Sequence, residues 1–251
     1  MIYYKSKEEI DKISQSGKLL TEIAGALKEM VKPGVSTLDL EEKARKLFKE
    51  RNIQPAFLNY GEPPYPAYLC TSVNEEVVHG IPRKDKILKQ GDIISIDLGG
   101  IKDNFYSDMA FTVDVGKLDG SLKKLLDITR EALENGISKM YTNRKLYDIS
   151  WAIQKTAQDA GYTVVKDLVG HGIGRDLHES PQVPNYGSPD TGIQLKEGLV
   201  IALEPMINMG EDKIETKGDK WTVVTSDGKP SCHFENTVAV TSNGPEILAG
   251  L

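Results

Sequence analysis

Four acidic residues constrain this chain more than any other feature. Asp97 closes the apolar run at 93–96, and Asp108 lies inside the strand-like segment 105–113. Glu204 follows the apolar run at 199–203, and Glu235 stands within 232–240, which also reads as a strand. A carboxylate carried into an apolar sheet cannot be left bare, because taking an unpaired charge out of water is costly. Any fold of this chain therefore has to bring these acids to bases or to cations.

The first two acids set a geometric test. Gly99-Gly100-Ile101-Lys102-Asp103-Asn104 carries turn chemistry between two strand-like runs. A tight turn at Lys102-Asp103 places Asp97 directly opposite Asp108. Opposed residues of an antiparallel pair share one face of the sheet. Side-by-side carboxylates are unfavourable unless a cation lies between them. Taken alone, the pair reads equally as turn or cap aspartates.

The remaining chain supplies two helix pairs and more strands. Ser6 with Glu9 forms a capping box ahead of the stripe Ile10, Ile13, Leu20, Ile23, Leu27 and Met30, and Lys32-Pro33-Gly34 stops that helix. Ser36 with Asp39 opens a second helix through Leu40, Ala44, Leu47 and Phe48. Residues 53–90 read as short strands and loops rich in Pro, Gly and Tyr. Helical periodicity returns at 120–140 and 146–160, followed by strand-like segments at 162–169, 198–207, 221–225 and 233–241. Two helices followed by strands, twice over, predicts one α+β domain spanning 1–251, with pseudo-symmetric halves near 1–116 and 117–251.

His171 lies in Gly170-His171-Gly172-Ile173-Gly174, where missing side chains let backbone approach closely. By itself the segment is equally a plain glycine loop. Each glutamate by itself is equally a surface residue or an ion-pair partner. That four acids should all be so placed by accident is a weaker reading. Four carboxylates with one imidazole make an oxygen-rich donor set. It suits Mn, Fe(II), Co or Mg better than a structural Zn site, which prefers thiolates and imidazoles.

Bulk properties narrow the function classes. A formal net charge of −6 argues against a general nucleic-acid binder, whose footprint is basic. Two cysteines, Cys70 and Cys232, make no disulfide framework and fit a reducing, cytoplasmic setting. No apolar h-region opens the chain and no apolar run is long enough to span a bilayer. Lys5, Lys7, Lys12 and Lys18 alternate with Glu8, Glu9 and Asp11, which reads as a solvated helix face rather than a basic docking surface.

Five ordered motifs carry a resemblance over almost the whole chain. They are Ser72-Val73-Asn74-Glu75-Glu76-Val77-Val78-His79-Gly80-Ile81-Pro82; Ile96-Asp97-Leu98 with Asp108; Gly170-His171-Gly172-Ile173-Gly174 with His178; Glu204-Pro205-Met206; and His233-Phe234-Glu235-Asn236-Thr237. Together they resemble the metal-dependent peptidases of the pita-bread fold, and within them the type I methionine aminopeptidases. The resemblance implies a pseudo-two-fold antiparallel sheet covered by two helix pairs. It implies two divalent ions (Co, Mn, Fe(II), Zn or Mg), with Asp97 on one, His171 and Glu204 on the other, and Asp108 and Glu235 bridging. It implies removal of the N-terminal methionine from nascent chains by a metal-bridging hydroxide. Glu204 would shuttle the proton, His178 would donate to the carbonyl oxygen, and His79 would contact the scissile amide nitrogen. Tyr65, Cys70 and Trp221 would line the methionine pocket, where Asn59 and Leu177 depart from the usual residues. His233 shares a strand face with Glu235 and reads either as a group near the site or as an ordinary strand histidine. A transient ribosome contact and a monomeric state are the partner expectations. Other readings are a proline-directed peptidase, a binding protein that has lost catalysis, and a metal-free hydrolase on the same fold.

Overall fold

The hairpin 93–114 organises the molecule. Asp103 and Asn104 both adopt left-handed backbone, φ 49° and 65°, which makes a two-residue turn whose twist matches the strands it joins. The computed structural model describes all 251 residues. Its helices are α1 (Lys7–Met30), α2 (Thr37–Glu50), α3 (Gly120–Ile137) and α4 (Leu146–Asp159). Its strands are β1 (Gln54–Pro55), β2 (Leu69–Val73), β3 (Glu76–Val78), β4 (Ile93–Lys102), β5 (Phe105–Asp114), β6 (Thr163–Val164), β7 (Val169–Gly172) and β8 (Glu179–Pro184). They continue with β9 (Val200–Leu203), β10 (Met206–Asn208), β11 (Ile214–Thr216), β12 (Val223–Thr225), β13 (Ser231–His233), β14 (Glu235–Thr241) and β15 (Gly244–Ala249).

Nine strands form one antiparallel sheet in the order β1-β4-β5-β14-β9-β7-β8, with β2 added on β4 and β15 on β14. Two three-stranded sheets, β13-β10-β6 and β11-β12-β3, flank it. Both expected capping boxes form. Ser6 accepts from the Glu9 N–H, and Ser36 accepts from the Asp39 N–H. All four helices contribute to one apolar core, through residues such as Leu20, Leu40, Leu125 and Ile149.

Strand alternation sorts the sheet into two faces. On β4, Ile94, Ile96 and Leu98 join the helix-covered core. On β5, Met109, Phe111 and Val113 do the same, as do Ile201 and Leu203 on β9 and Val238 and Val240 on β14. The intervening residues lie outside that core. They include Asp97, Asp108, Ala202, Glu235 and Ala239, so the acids are excluded from the main core.

The centre of the sheet is loosely laddered. Between β5 and β14 only two register pairs form, Ala110 with Glu235 and Met109 with Asn236. Threonine side chains extend the seam in both directions. Thr237 Oγ1 donates to the Asp108 carbonyl (2.7 Å) and accepts from the Asp108 N–H (3.0 Å). Thr112 Oγ1 donates to the His233 carbonyl (2.7 Å) and accepts from its N–H (3.1 Å).

One expectation about the N-terminal lysines is corrected. Lys5 does not lie on a solvated helix face. It is buried ahead of α1, and its Nζ pairs with Glu179 Oε2 at 2.5 Å. The intervening strands and loops fold residue 179 back over the N-terminus, which local charge patterning does not anticipate. Lys12 does behave as a surface residue, pairing with Glu8 one turn away at 3.0 Å.

Candidate metal centre

The predicted acids converge because the residues opposite them are small. Asp97 faces Ala110 on β5 and Cys70 on β2. Asp108 faces Gly99, Glu235 faces Ala110, and His171 faces Ala202 on β9. The expected register was therefore displaced by two residues: Asp97 and Asp108 are diagonal neighbours, not directly opposed. The cause is the turn, which falls on Asp103-Asn104 rather than Lys102-Asp103. An even shift preserves the face, so the two carboxylates still point the same way.

His171 lies on β7, so Gly170-His171-Gly172 is strand, with Ile173 and Gly174 following it. Its flanking glycines allow the strands to close. A Cβ on Gly170 would stand 2.5 Å from the Ala202 carbonyl oxygen, and one on Gly172 would stand 2.3 Å from that of Ser180. His171 Nδ1 lies 2.9 Å from the Gly172 carbonyl oxygen. A carbonyl only accepts, so Nδ1 carries the proton and Nε2 keeps a free lone pair. That nitrogen lies 3.5 Å from Glu204 Oε1.

One cavity of about 100 Å³ gathers every predicted site residue: Asp97, Asp108, His171, Glu204, Glu235, His79, His178, Tyr65, Cys70 and Trp221. It adds Phe57, Tyr60 and Leu177. Asn59 is exposed and lies outside this lining. Its backbone is left-handed, φ 65°, which explains an asparagine there. Phe57 and Tyr60 were not singled out from the sequence. The only signal for them was aromatic residues in the irregular, Pro- and Gly-rich stretch before β2.

The apolar end of the cavity is built around Trp221. Its ring packs edge-on against Tyr65 (5.1 Å between centroids) and His79 (6.0 Å). Its Nε1–H donates to the Pro63 carbonyl at 3.0 Å. Gly61 permits this packing, since a Cβ there would stand 2.6 Å from Trp221 Cη2. His79 has φ 59°, an unusual backbone state for a non-glycine residue and one that recurs at functional sites. At the mouth, His178 is exposed, and its Nδ1 meets the Tyr60 hydroxyl at 2.5 Å.

Electrostatics give the acids a common character. Burial, then the neighbouring Asp108 and Glu204, pushes the Asp97 carboxyl well above its ordinary range. Burial likewise raises Glu204 and Glu235 well above theirs, with Asp108 adding to both. Asp108 is raised by burial to about 7, with the Met109 N–H acting in the opposite sense. Burial lowers His79 to about 4 and His171 to about 3, so both imidazoles are neutral. Cys70 is pushed well above the ordinary thiol value by burial and by Asp97, which keeps it a small apolar wall and not a nucleophile.

Divalent cations fit this arrangement. Asp97 Oδ1 and Glu235 Oε1 are buried and accept no hydrogen bond. Donor atoms of Asp108, His171 and Glu235 lie close enough together to share one ion, and so do those of Glu204, His233 and Glu235. Four crowded carboxylates with a free imidazole nitrogen are repulsive alone and become complementary around positive charge. The second trio includes His233, which the sequence reading left outside the ligand set.

Comparison with known proteins agrees with this chemistry. Residues 11–242 match the model of metallopeptidase family M24. A methionine aminopeptidase of Clostridium acetobutylicum is 45% identical over 248 residues, covering 99% of this chain and 98% of the relative. The crystal structure of a methionine aminopeptidase from Thermotoga maritima superposes with a TM-score of 0.97 at 42% identity, covering all of both chains. A prolidase from Pyrococcus furiosus shares the fold at a TM-score of 0.79 and 23% identity, over 99% of this chain and 65% of its own. With a metal-ready cavity on a pita-bread sheet and a family match over nearly its whole length, the chain belongs to metallopeptidase family M24.

Proposed function

We propose that this protein is a metal-dependent methionine aminopeptidase, hydrolysing the first peptide bond of chains that begin with methionine. The single observation that carries the reading is the cavity. It joins an acid cluster suited to divalent ions to an apolar end shaped by Tyr65, Cys70 and Trp221. Asp97, Asp108, His171, Glu204 and Glu235 would together hold the ions. Two bound divalent ions would supply a nucleophile at neutral pH and a Lewis acid for the scissile carbonyl.

The chain's own groups do the rest. The apolar end holds the methionine side chain, and the carboxylate cluster on the Asp97 side receives the free α-amine. Glu204 takes a proton from the attacking water and returns it to the departing amine as the C–N bond breaks. His178 donates to the carbonyl oxygen as negative charge develops there. His79, neutral and packed edge-to-face with Trp221, contacts the amide nitrogen of the scissile bond.

The test is release of free methionine from a Met-Ala-Ser peptide by metal-reconstituted protein. The same peptide with an acetylated N-terminus should not be cut. Equal cleavage of both would overturn the role of the free amine. Preference for a proline at the scissile bond would favour the proline-directed alternative.

The setting is read from the resemblance to methionine aminopeptidases. Its substrates are nascent polypeptide N-termini, met in the cytoplasm with a transient ribosome contact, and the protein works as a monomer. We read residues 1–251 as one catalytic domain with related halves near 1–116 and 117–251. No helix is long and apolar enough to cross a membrane. Sedimentation of the protein alone and with ribosomes tests the monomer and the contact separately.

A further inference from the structure

His233 is the most conspicuous buried group that the proposed mechanism does not use. It is 1% exposed, and neither ring nitrogen has a hydrogen-bond partner. An imidazole buried without a hydrogen-bond partner is destabilising relative to a satisfied one, so its retention calls for a reason. Its position is firmly set. Thr112 Oγ1 clamps the His233 peptide from both sides, and His233 pairs with Met206 across β10 and β13. Its Nε2 looks onto two acids of the centre. It lies 3.9 Å from Glu204 Oε2 and 3.8 Å from Glu235 Oε2. The other oxygen of Glu204 lies 3.5 Å from His171. Glu204 thus stands between two imidazoles, one facing each oxygen.

We propose that His233 is a positioning residue of the metal centre, its Nε2–H oriented to hold Glu204 and Glu235 through their Oε2 atoms. The inference rests on the reading of those two glutamates as ligands. The trio of Glu204, His233 and Glu235 has the spacing of a cation site in its own right, but charge decides against that use. Two bound divalent ions would already balance the four carboxylates of the centre. A third divalent ion a few ångströms away would add unbalanced repulsion in a buried site. A neutral imidazole adds an N–H and no charge. Carboxylate ligands are commonly held by outer donors of this kind, and losing one typically weakens metal binding about 10–100-fold.

The experiment is calorimetric titration of metal-free protein with Mn(II), comparing wild type, His233→Leu, His233→Gln and Glu235→Ala. His233→Leu should weaken Mn(II) binding about 10–100-fold with stoichiometry unchanged. His233→Gln, which keeps an N–H donor but is a poor ligand, should recover most of that loss. Wild-type affinity in His233→Leu would overturn the proposal. So would a Gln variant no better than the Leu variant, which would make His233 a ligand. The thermal midpoint of metal-free His233→Leu should equal or exceed that of wild type, because an unsatisfied polar group has been replaced by an apolar one. A clear fall would make His233 a packing residue and also overturn the proposal. Glu235→Ala separates the underlying assumption: retained Mn(II) binding there would refute the ligand reading itself, independently of His233.

Discussion

At the scale of single residues, burial opposes the ionised form of each acid that a metal would need. Asp97, Glu204 and Glu235 have carboxyls raised well above their ordinary range by burial, and Asp108 is raised to about 7. Burial thus favours their protonated forms when no metal is bound, whereas ligation requires the ionised forms. Metal binding at pH 7 should therefore release protons, seen as a binding enthalpy that changes with the ionisation enthalpy of the buffer. The sign follows for affinity. Protons compete with metal, so binding should weaken as pH falls below about 7 and strengthen as pH rises through it. Replacing Asp97, Asp108 or Glu235 by Ala should abolish turnover and lower metal content measured by atomic emission. His178→Ala should behave differently. It should reduce kcat roughly 10²–10³-fold, as loss of an oxyanion donor does, with metal content near normal. Loss of metal in that variant would mean His178 has been given the wrong role. The acids were conspicuous in the sequence because a carboxylate in an apolar strand demands an explanation, while their ligand roles and the role of His178 came from the family resemblance. Phe57 and Tyr60 were not, because aromatic residues in an irregular loop carry no period to say which way they face. Lys5 misled for a related reason: its partner Glu179 lies far along the chain, and local charge alternation says nothing about such pairs.

At the scale of elements, strand contacts decide how well the ligands are aimed. The glycines around His171 let β7 sit tightly between β8 and β9. Gly172→Ala would push a Cβ to 2.3 Å from the Ser180 carbonyl oxygen, where only backbone can yield. That overpacking should cost roughly 1–3 kcal/mol and move His171 away from Glu204. Chemical denaturation should show the lost stability, and equilibrium dialysis should show weaker metal binding. Gly25 offers a control, since a Cβ there meets nothing within 4 Å. The helices and their caps were readable from periodicity and from Ser6, Glu9, Ser36 and Asp39. The register of β4 and β5 was not, because it depends on which dipeptide takes the left-handed turn. Lys102-Asp103 and Asp103-Asn104 both look suitable on paper, and the second forms. The error was harmless to the site because it was an even number of residues.

At the scale of the whole molecule, the proposed ligands come from both halves of the sequence. Asp97 and Asp108 lie on the β4–β5 hairpin, whereas His171, Glu204 and Glu235 lie on or beside β7, β9 and β14. Metal removal should lower global stability, by about 2.7 kcal/mol when free metal stood at 100 times its dissociation constant. For a chain of this length that is a fall of roughly 5–10 °C in the unfolding midpoint. Scanning calorimetry with and without a chelator checks it. An unchanged midpoint would mean that the ions are not bound in the native state alone. The two helix pairs and their strands were visible as a repeated order of elements. How the strands close into one sheet was not visible, because β5 and β14 are more than a hundred residues apart.

The seam between β5 and β14 has a consequence of its own. Only two residue pairs ladder it, with Thr112 and Thr237 stitching the ends. The acids that need cations sit directly across it. Each side of the chain is therefore, in thermodynamic terms, a co-receptor for the other, with metal as their shared ligand. Reciprocity then requires that whatever tightens the grip on metal also tightens the grip of one side on the other, by the same factor. Two separately expressed pieces divided after residue 116 should associate more strongly as metal concentration rises, turning an enzyme's cofactor into the glue of a split protein.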